Sequence, residues 1–203
     1  MSGRVSETAD ISEAKSRRPA RDRIFETARD MFYRRGIRAV GVEAIAAEAG
    51  ATKMSLYRNF PSKDELVAEV LREQSREGWI WWDEVVARFE TPREKLEGLF
   101  AAFAEKAQTE EEYGCAICNA AVELHEADHP ARVVADEYKR ETLRRLVEMA
   151  RAAGAPDDEL GDGLMLLLEG AYMARVTLTS EGPVKTLART ARALIREHLD
   201  HRD

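Results

Sequence analysis

Residues 125–129 read His-Glu-Ala-Asp-His, which satisfies the H-E-x-x-H pattern. In that pattern two histidines one helical turn apart hold zinc, and the glutamate serves as general base. Cys115 and Cys118 lie ten and seven residues before the first histidine, and Glu148 lies nineteen beyond the second, where some zinc peptidases place a third ligand. Read as one helix, Cys115, Cys118, Val122, His125 and His129 share a stripe at steps of three or four. On such a helix Cys115 and His129 stand ~21 Å apart along the axis, because each residue rises about 1.5 Å. Bonds of about 2 Å cannot gather all four groups around one ion. Pro130 also interrupts the helix directly after the motif. Hydrolysis by zinc is therefore disfavoured. A metal- or thiol-sensing regulator using Cys115, Cys118, His125 and His129 stays open as an alternative. No catalytic residue, metal ligand or cofactor is assigned.

A second constellation lies at residues 42–60. Two short helices meet at "AEAGATK": Ala46 and Ala49 are small where the helices cross, Gly50 makes the turn, and Leu56 packs back. The second helix exposes Thr52, Lys53, Ser55, Arg58 and Asn59, whose hydroxyl, amide and cationic groups suit base edges and phosphates.

The elements that position these residues read as helices throughout. Ile24, Phe25, Ala28, Met31 and Phe32 recur at three and four, and Gly36 ends that helix. Thr52 is placed to cap the helix that Pro61 ends. Ser62 with Glu65, and Thr91 with Glu94 around Pro92, are capping-box patterns that open two longer helices. Gly78 marks a kink position in the first of these. "CAICNAAVELHEA" reads as a fairly apolar helix stopping near His129-Pro130. An amphipathic helix follows to Gly154, then a strongly apolar one, and after Gly182-Pro183 a last one. The fold class is all-α, with about nine helices. Residues 1–19 form a flexible arm ending in Lys15, Arg17 and Arg18. Residues 20–66 form a helix-turn-helix domain, and 67–203 a larger helical domain.

The 203-residue chain carries a net charge of −7, but the distribution is uneven. From Lys15 to Lys63 there are twelve Lys/Arg against five Asp/Glu, whereas from Asp64 onward there are eighteen against thirty. A basic front joined to an acidic remainder suits a module that meets a polyanion attached to one that does not. No run approaches eighteen apolar residues, and the N-terminus lacks the apolar stretch of a secretory signal. Two cysteines give no disulfide framework. These features point to a cytoplasmic protein without a membrane partner.

The stretch "AVGVEAIAAEAGATKMSLYRNFPSKDELVAEVL" resembles the DNA-binding domain of the TetR/AcrR family of bacterial transcriptional regulators. The resemblance runs from Phe32 and Gly36 through Val42, Ile45, Ala46, Ala49, Gly50, Leu56, Tyr57 and Phe60 to Ser62, Lys63 and Leu66. It implies that Thr52, Lys53, Ser55 and Arg58 face the major groove, that Tyr57 and Lys63 bond phosphates, and that Arg38 and Asn59 join the DNA-binding set. Gly41 departs from the family by lacking the usual hydroxyl before the second helix, and Met54 by standing where a small residue is commoner. The resemblance further implies a repressor released from a palindromic double-stranded operator by a small-molecule effector, not an enzyme. The homodimer it implies forms through the last two helices, including Leu164, Leu167, Leu168, Ala171 and Ala174, then Leu187, Ala191, Leu194 and Ile195. Trp79, Trp82, Phe100, Phe103, Cys118, Val122, His125, Met165, Tyr172 and Met173 are the ligand-facing candidates, since aromatic and Met side chains with a few polar tips make an adaptable apolar pocket.

Overall fold

The computed structural model describes residues 18–109, 114–178 and 182–200. Most of the arm expected over residues 1–19, with Lys15 and Arg17, lies outside the described residues. Among the described residues, regular structure consists of α-helices and one short 3-10 turn, so the all-α reading holds.

Three helices build the head: α1 (Ala20–Arg35), α2 (Val42–Glu48) and α3 (Lys53–Asn59). Ile24, Ala28, Met31 and Phe32 turn one face of α1 inward, against Ile45 and Ala46 of α2 and Leu56 of α3. Gly36 takes φ 85°, which a side chain would resist, and the chain leaves α1 there. The turn between α2 and α3 is held from outside by Arg23. Its guanidinium donates to the carbonyls of Ala49 and Gly50, each at 3.0 Å.

The body follows as α4 (Lys63–Val86), α5 (Pro92–Thr109), α6 (Ala116–Glu123), α7 (Pro130–Ala153), α8 (Glu159–Leu178), a 3-10 turn (Pro183–Thr186) and α9 (Leu187–Asp200). Ser62 Oγ accepts from the Glu65 amide at 3.0 Å, which starts α4. Thr91 and Glu94 cap α5 reciprocally: the Thr91 amide donates to Glu94 Oε2 at 3.0 Å, and the Glu94 amide to Thr91 Oγ1 at 3.2 Å. Helix α4 runs unbroken past residue 66 and through Gly78. That glycine permits close approach, since a Cβ there would meet the Tyr138 hydroxyl at 2.7 Å.

Two cores result. One joins the head to the front of α4, to α6 and to the first turns of α7, through Ile117, Ala120, Leu124, Ala131, Val134 and Ala135. The other gathers the far part of α4 with α5 and α7 to α9, around Trp82, Phe100, Leu146 and Leu164. Leu164, Leu168, Leu187, Ala191 and Ile195 are buried in this second core. Their apolar spacing, expected to face a symmetry mate, is spent within the protomer. The uncovered apolar side chains of α8 are instead Leu166, Met173, Val176 and Leu178.

The helix expected to carry the His-Glu-Ala-Asp-His run stops at Glu123, before the motif begins. Leu124 turns to extended backbone and buries its side chain in the first core. Arg132 then donates to the carbonyls of Ala121 at 2.9 Å and Leu124 at 3.2 Å, satisfying groups that another helical turn would have used. Hence Cys115, Cys118, His125 and His129 do not share one helical stripe.

Candidate functional site

Leu56 and Phe60, 0% and 1% exposed, anchor α3 in the head. Their i, i+4 spacing leaves Lys53, Met54, Tyr57 and Arg58 pointing outward from a helix only seven residues long. Met54 is 78% and Tyr57 45% exposed, so a large apolar group and a phenol stand on the outward face beside the cations. Thr52 serves as N-cap, its hydroxyl accepting from the Ser55 amide at 3.1 Å. Gly41, before α2, supplies no such bond. Asn59 is turned back on its own helix: its amide donates to the Ser55 carbonyl at 2.8 Å. Ser55 is half-buried, and Lys63 stands half-buried at the first position of α4. Lys53 is paired with Glu43 of α2. That hydrogen bond holds the Glu43 carboxyl below the usual carboxylate range and pushes the Lys53 ammonium up. Both side chains are exposed, so the pair is easily broken by a competing anion.

Arg38 sits elsewhere than the remaining head residues of the expected set. Its Nε donates to the Glu123 carbonyl at 2.9 Å, and its guanidinium pairs with Glu126 at 3.1 Å. The Glu123 carboxylate meanwhile accepts from two head amides, Ile37 at 2.9 Å and Arg38 at 2.6 Å. At the other end of α6, the Tyr33 hydroxyl donates to the Gly114 carbonyl at 2.8 Å. Both ends of α6 are thus fastened to the head around the turn at Gly36. Sequence reasoning missed this connection. The sole signal was that Glu123 is the one charged residue in the apolar run of α6.

The histidines have separate placements. His125 is exposed in the loop after α6. His129 is the N-cap of α7, its Nδ1 accepting from the Ala131 amide at 3.1 Å while Nε2 lies 3.4 Å from Asp64. Among the described residues, no three His, Cys, Asp or Glu side chains are grouped to hold a metal. The two cysteines form a cluster of their own. The Cys118 thiol donates to Glu169 at 3.3 Å, and Lys139 pairs with the same carboxylate at 2.6 Å. Close pairing with the Cys118 side chain pulls the Cys115 thiol well below its ordinary value, and Lys139 favours the thiolate further. The same pairing, with burial, pushes Cys118 up. Burial pushes Tyr138 up to about 12.

Several cavities open around this region. One of about 630 Å³ is walled by Tyr33, Gln74, Cys115, Tyr138 and Tyr172. Another of about 460 Å³ lies between head and body, with Phe32, Val67, Val70 and Ala120 as its apolar wall and Gln74, Asn119 and Glu123 as polar points. A smaller one of about 160 Å³ brings together four expected ligand residues: Cys118, Val122, Tyr172 and Met173. Trp82 borders a separate cavity beside Arg144 and Arg145. Trp79, Phe100, Phe103, His125 and Met165 line none of these. Phe100 is fully buried core. Phe103 packs edge-on against Trp82 and Tyr172, and Met165 packs against the second core. Trp79 is stacked between Tyr138, at 4.6 Å, and the Arg145 guanidinium, at 4.2 Å.

No helix among the described residues is long and apolar enough to cross a membrane. Residues 24–70 match the model of a family described as bacterial regulatory proteins, tetR family. The chain is similar to the HTH-type transcriptional repressor KstR2 of Mycolicibacterium smegmatis, 39% identical over 84 residues. That match covers 40% of this chain and spans only 40% of the relative's length. The chain is also similar to the uncharacterized HTH-type transcriptional regulator YxaF of Bacillus subtilis, 26% identical over 188 residues, or 90% of this chain and 98% of that one. Among solved structures, SCO4454, a TetR-family transcriptional regulator from Streptomyces coelicolor, superposes with a TM-score of 0.83 at 26% identity. That superposition covers 88% of this chain and 95% of the other.

Proposed function

We propose that this chain, whose residues 24–70 match the tetR family of bacterial regulatory proteins, is a DNA-binding transcriptional regulator of that family. It acts as a repressor, leaving a palindromic operator when a small molecule occupies its body. The observation that carries this is the outward face of α3. Two fully buried anchors project Lys53, Tyr57 and Arg58 from a short helix, as a reading helix in a major groove requires. In this reading residues 20–66 meet DNA, with Thr52, Lys53, Ser55 and Arg58 toward base edges. Tyr57 and Lys63 bond phosphates, the latter helped by the positive end of α4. Asn59 and Arg38 contribute only on leaving the partners they now hold.

The body, residues 67–203, senses and dimerises. The exposed apolar groups of α8, including Leu166 and Met173, support a helix-pairing interface with a second copy. The effector is a largely apolar molecule with one or two hydrogen-bonding groups, suited to the head–body cavity and its few polar points. Entering beside Ile37 and Glu123, it loosens the hold of α6 on the head and alters the spacing of the two reading helices. Each half-site then loses the advantage of its tethered neighbour. The protein works in the cytoplasm and performs no catalysis.

A gel shift on the DNA flanking its own gene tests this reading. A specific complex is expected to survive competitor DNA at roughly physiological salt. Binding that vanishes equally for every sequence would remove the regulator reading.

A further inference from the structure

We propose that Cys115 and Cys118 form a thiol–disulfide switch: Cys115 attacks a hydroperoxide, Cys118 resolves the product, and α6 carries the change to the head. The two residues are the N-cap and third position of α6. On helix geometry the Cα atoms of positions three apart lie ~5 Å from one another, within the Cα span of about 4.4–6.8 Å that a disulfide bridges. Both side chains line the same cavity of about 160 Å³. Lys139 of α7 and Glu169 of α8 face the pair, Tyr138 stands close to Cys115, and Lys106 of α5 lies on the wall of the same cavity. The amides of Ile117 and Cys118 add to the field favouring a Cys115 thiolate, although neither makes a capping hydrogen bond to its sulfur. Cys115 borders both the 630 Å³ cavity and the 160 Å³ one, so a small oxidant has room to approach.

The chemistry balances in two steps. The Cys115 thiolate attacks the terminal oxygen of a hydroperoxide, forming an S–O bond as the O–O bond breaks, and an alcohol (water, for hydrogen peroxide) leaves with one proton. The Cys118 sulfur then attacks the Cys115 sulfenic sulfur. An S–S bond forms, the S–O bond breaks, and the hydroxyl departs as water with the proton from Cys118. Two electrons pass from the thiol pair to the peroxide, and a cellular dithiol reverses the reaction.

The consequence follows from what α6 holds. Oxidation removes the Cys118 donor to Glu169 and the thiolate that faces Lys139. The segment from Gly114 to Glu123 is bonded to the head at both ends, by Tyr33 at one and by the amides of Ile37 and Arg38 at the other. Helix α6 has only eight residues, so it has little length over which to absorb a change at Cys115.

The whole protein is treated with hydrogen peroxide, and its thiols and intact mass are followed. The wild type is expected to lose both thiols and two hydrogens within one chain, reversibly with dithiothreitol. Cys118→Ser should accumulate a Cys115 sulfenic acid that dimedone traps, and Cys115→Ser should leave Cys118 unreacted. Hydrogen exchange at the Ile37 and Arg38 amides reads the output without DNA. Exchange should rise by roughly tenfold on oxidation, as expected when bonds to a carboxylate loosen, and stay constant in Cys115→Ser. Retained thiols, an interchain disulfide, absence of the dimedone adduct, or unchanged exchange in the oxidised wild type would each overturn the proposal. Because this output needs no operator, its failure is distinct from failure of the regulator reading, on which only the effect upon transcription rests.

Discussion

Arg58, in the last turn of α3, and Lys63, at the start of α4, are expected to contribute in different ways. Arg58 projects, exposed, from the last turn of α3, so Arg58→Ala should cost about 1–3 kcal/mol at the base it reads and relax preference there. Lys63 begins α4, where its charge suits a phosphate. Lys63→Ala should therefore weaken all sequences alike and lower the salt slope by about one, measured by fluorescence anisotropy across a salt series. Glu43 adds a prediction that spacing alone does not. Its carboxylate occupies Lys53. Glu43→Gln frees the cation and removes a like-charge neighbour of the DNA. Non-specific affinity should rise, most at low salt, and anisotropy with an unrelated duplex will check it. Unchanged affinity would mean that Lys53 does not meet DNA.

At the scale of elements, α6 is bonded to the head at its far end through Glu123 and, just before its start, through Gly114. Glu123→Ala removes the acceptor of the Ile37 and Arg38 amides, both of which then need another partner. The expected cost is about 1–3 kcal/mol, measured by denaturant unfolding. Helix α8 meets α7 without slack at Gly161, where a Cβ would lie 2.7 Å from the Val147 Cα and 2.9 Å from its amide nitrogen. Gly161→Ala must push backbone apart, so a loss of about 1–3 kcal/mol is expected despite the better helix propensity of alanine, read by thermal melting. Local chemistry made most of these elements legible beforehand. Thr52, Ser62 and the Thr91-Pro92 pair announce helix starts through bonds made within four residues. The end of α6 was hidden because it depends on Leu124 reaching the head core and on Arg132 capping from the next helix, contacts no local pattern contains. The outward face of α3 was legible because Leu56 and Phe60 fix which side faces out. The cavity-lining residues were less so, since an aromatic at helical spacing looks alike whether it lines a cavity, as Tyr172 does, or fills a core, as Phe100 does.

The same ambiguity governs the whole molecule. Periodicity says that Leu164, Leu168 and Ile195 are buried, but not against whom, and each is satisfied inside its own protomer. What α8 leaves uncovered is narrower: Leu166, 74% exposed, with Met173 and Val176 beyond it, and Gly170 between them with open space where a Cβ would stand. Closed two-fold pairing would cover these groups. Leu166→Glu should shift the protein toward monomer in sedimentation while leaving its helical content intact. A monomer would place one reading helix on DNA rather than two, losing the gain in effective concentration that tethering supplies. Footprinting on the DNA beside its own gene tests the central claim most directly. Two protected half-sites related by a two-fold axis are expected, one helical turn or a multiple of about 34–36 Å apart, and both should disappear together in Leu166→Glu. Protection of a single half-site, or none above the background of unrelated DNA, would contradict it.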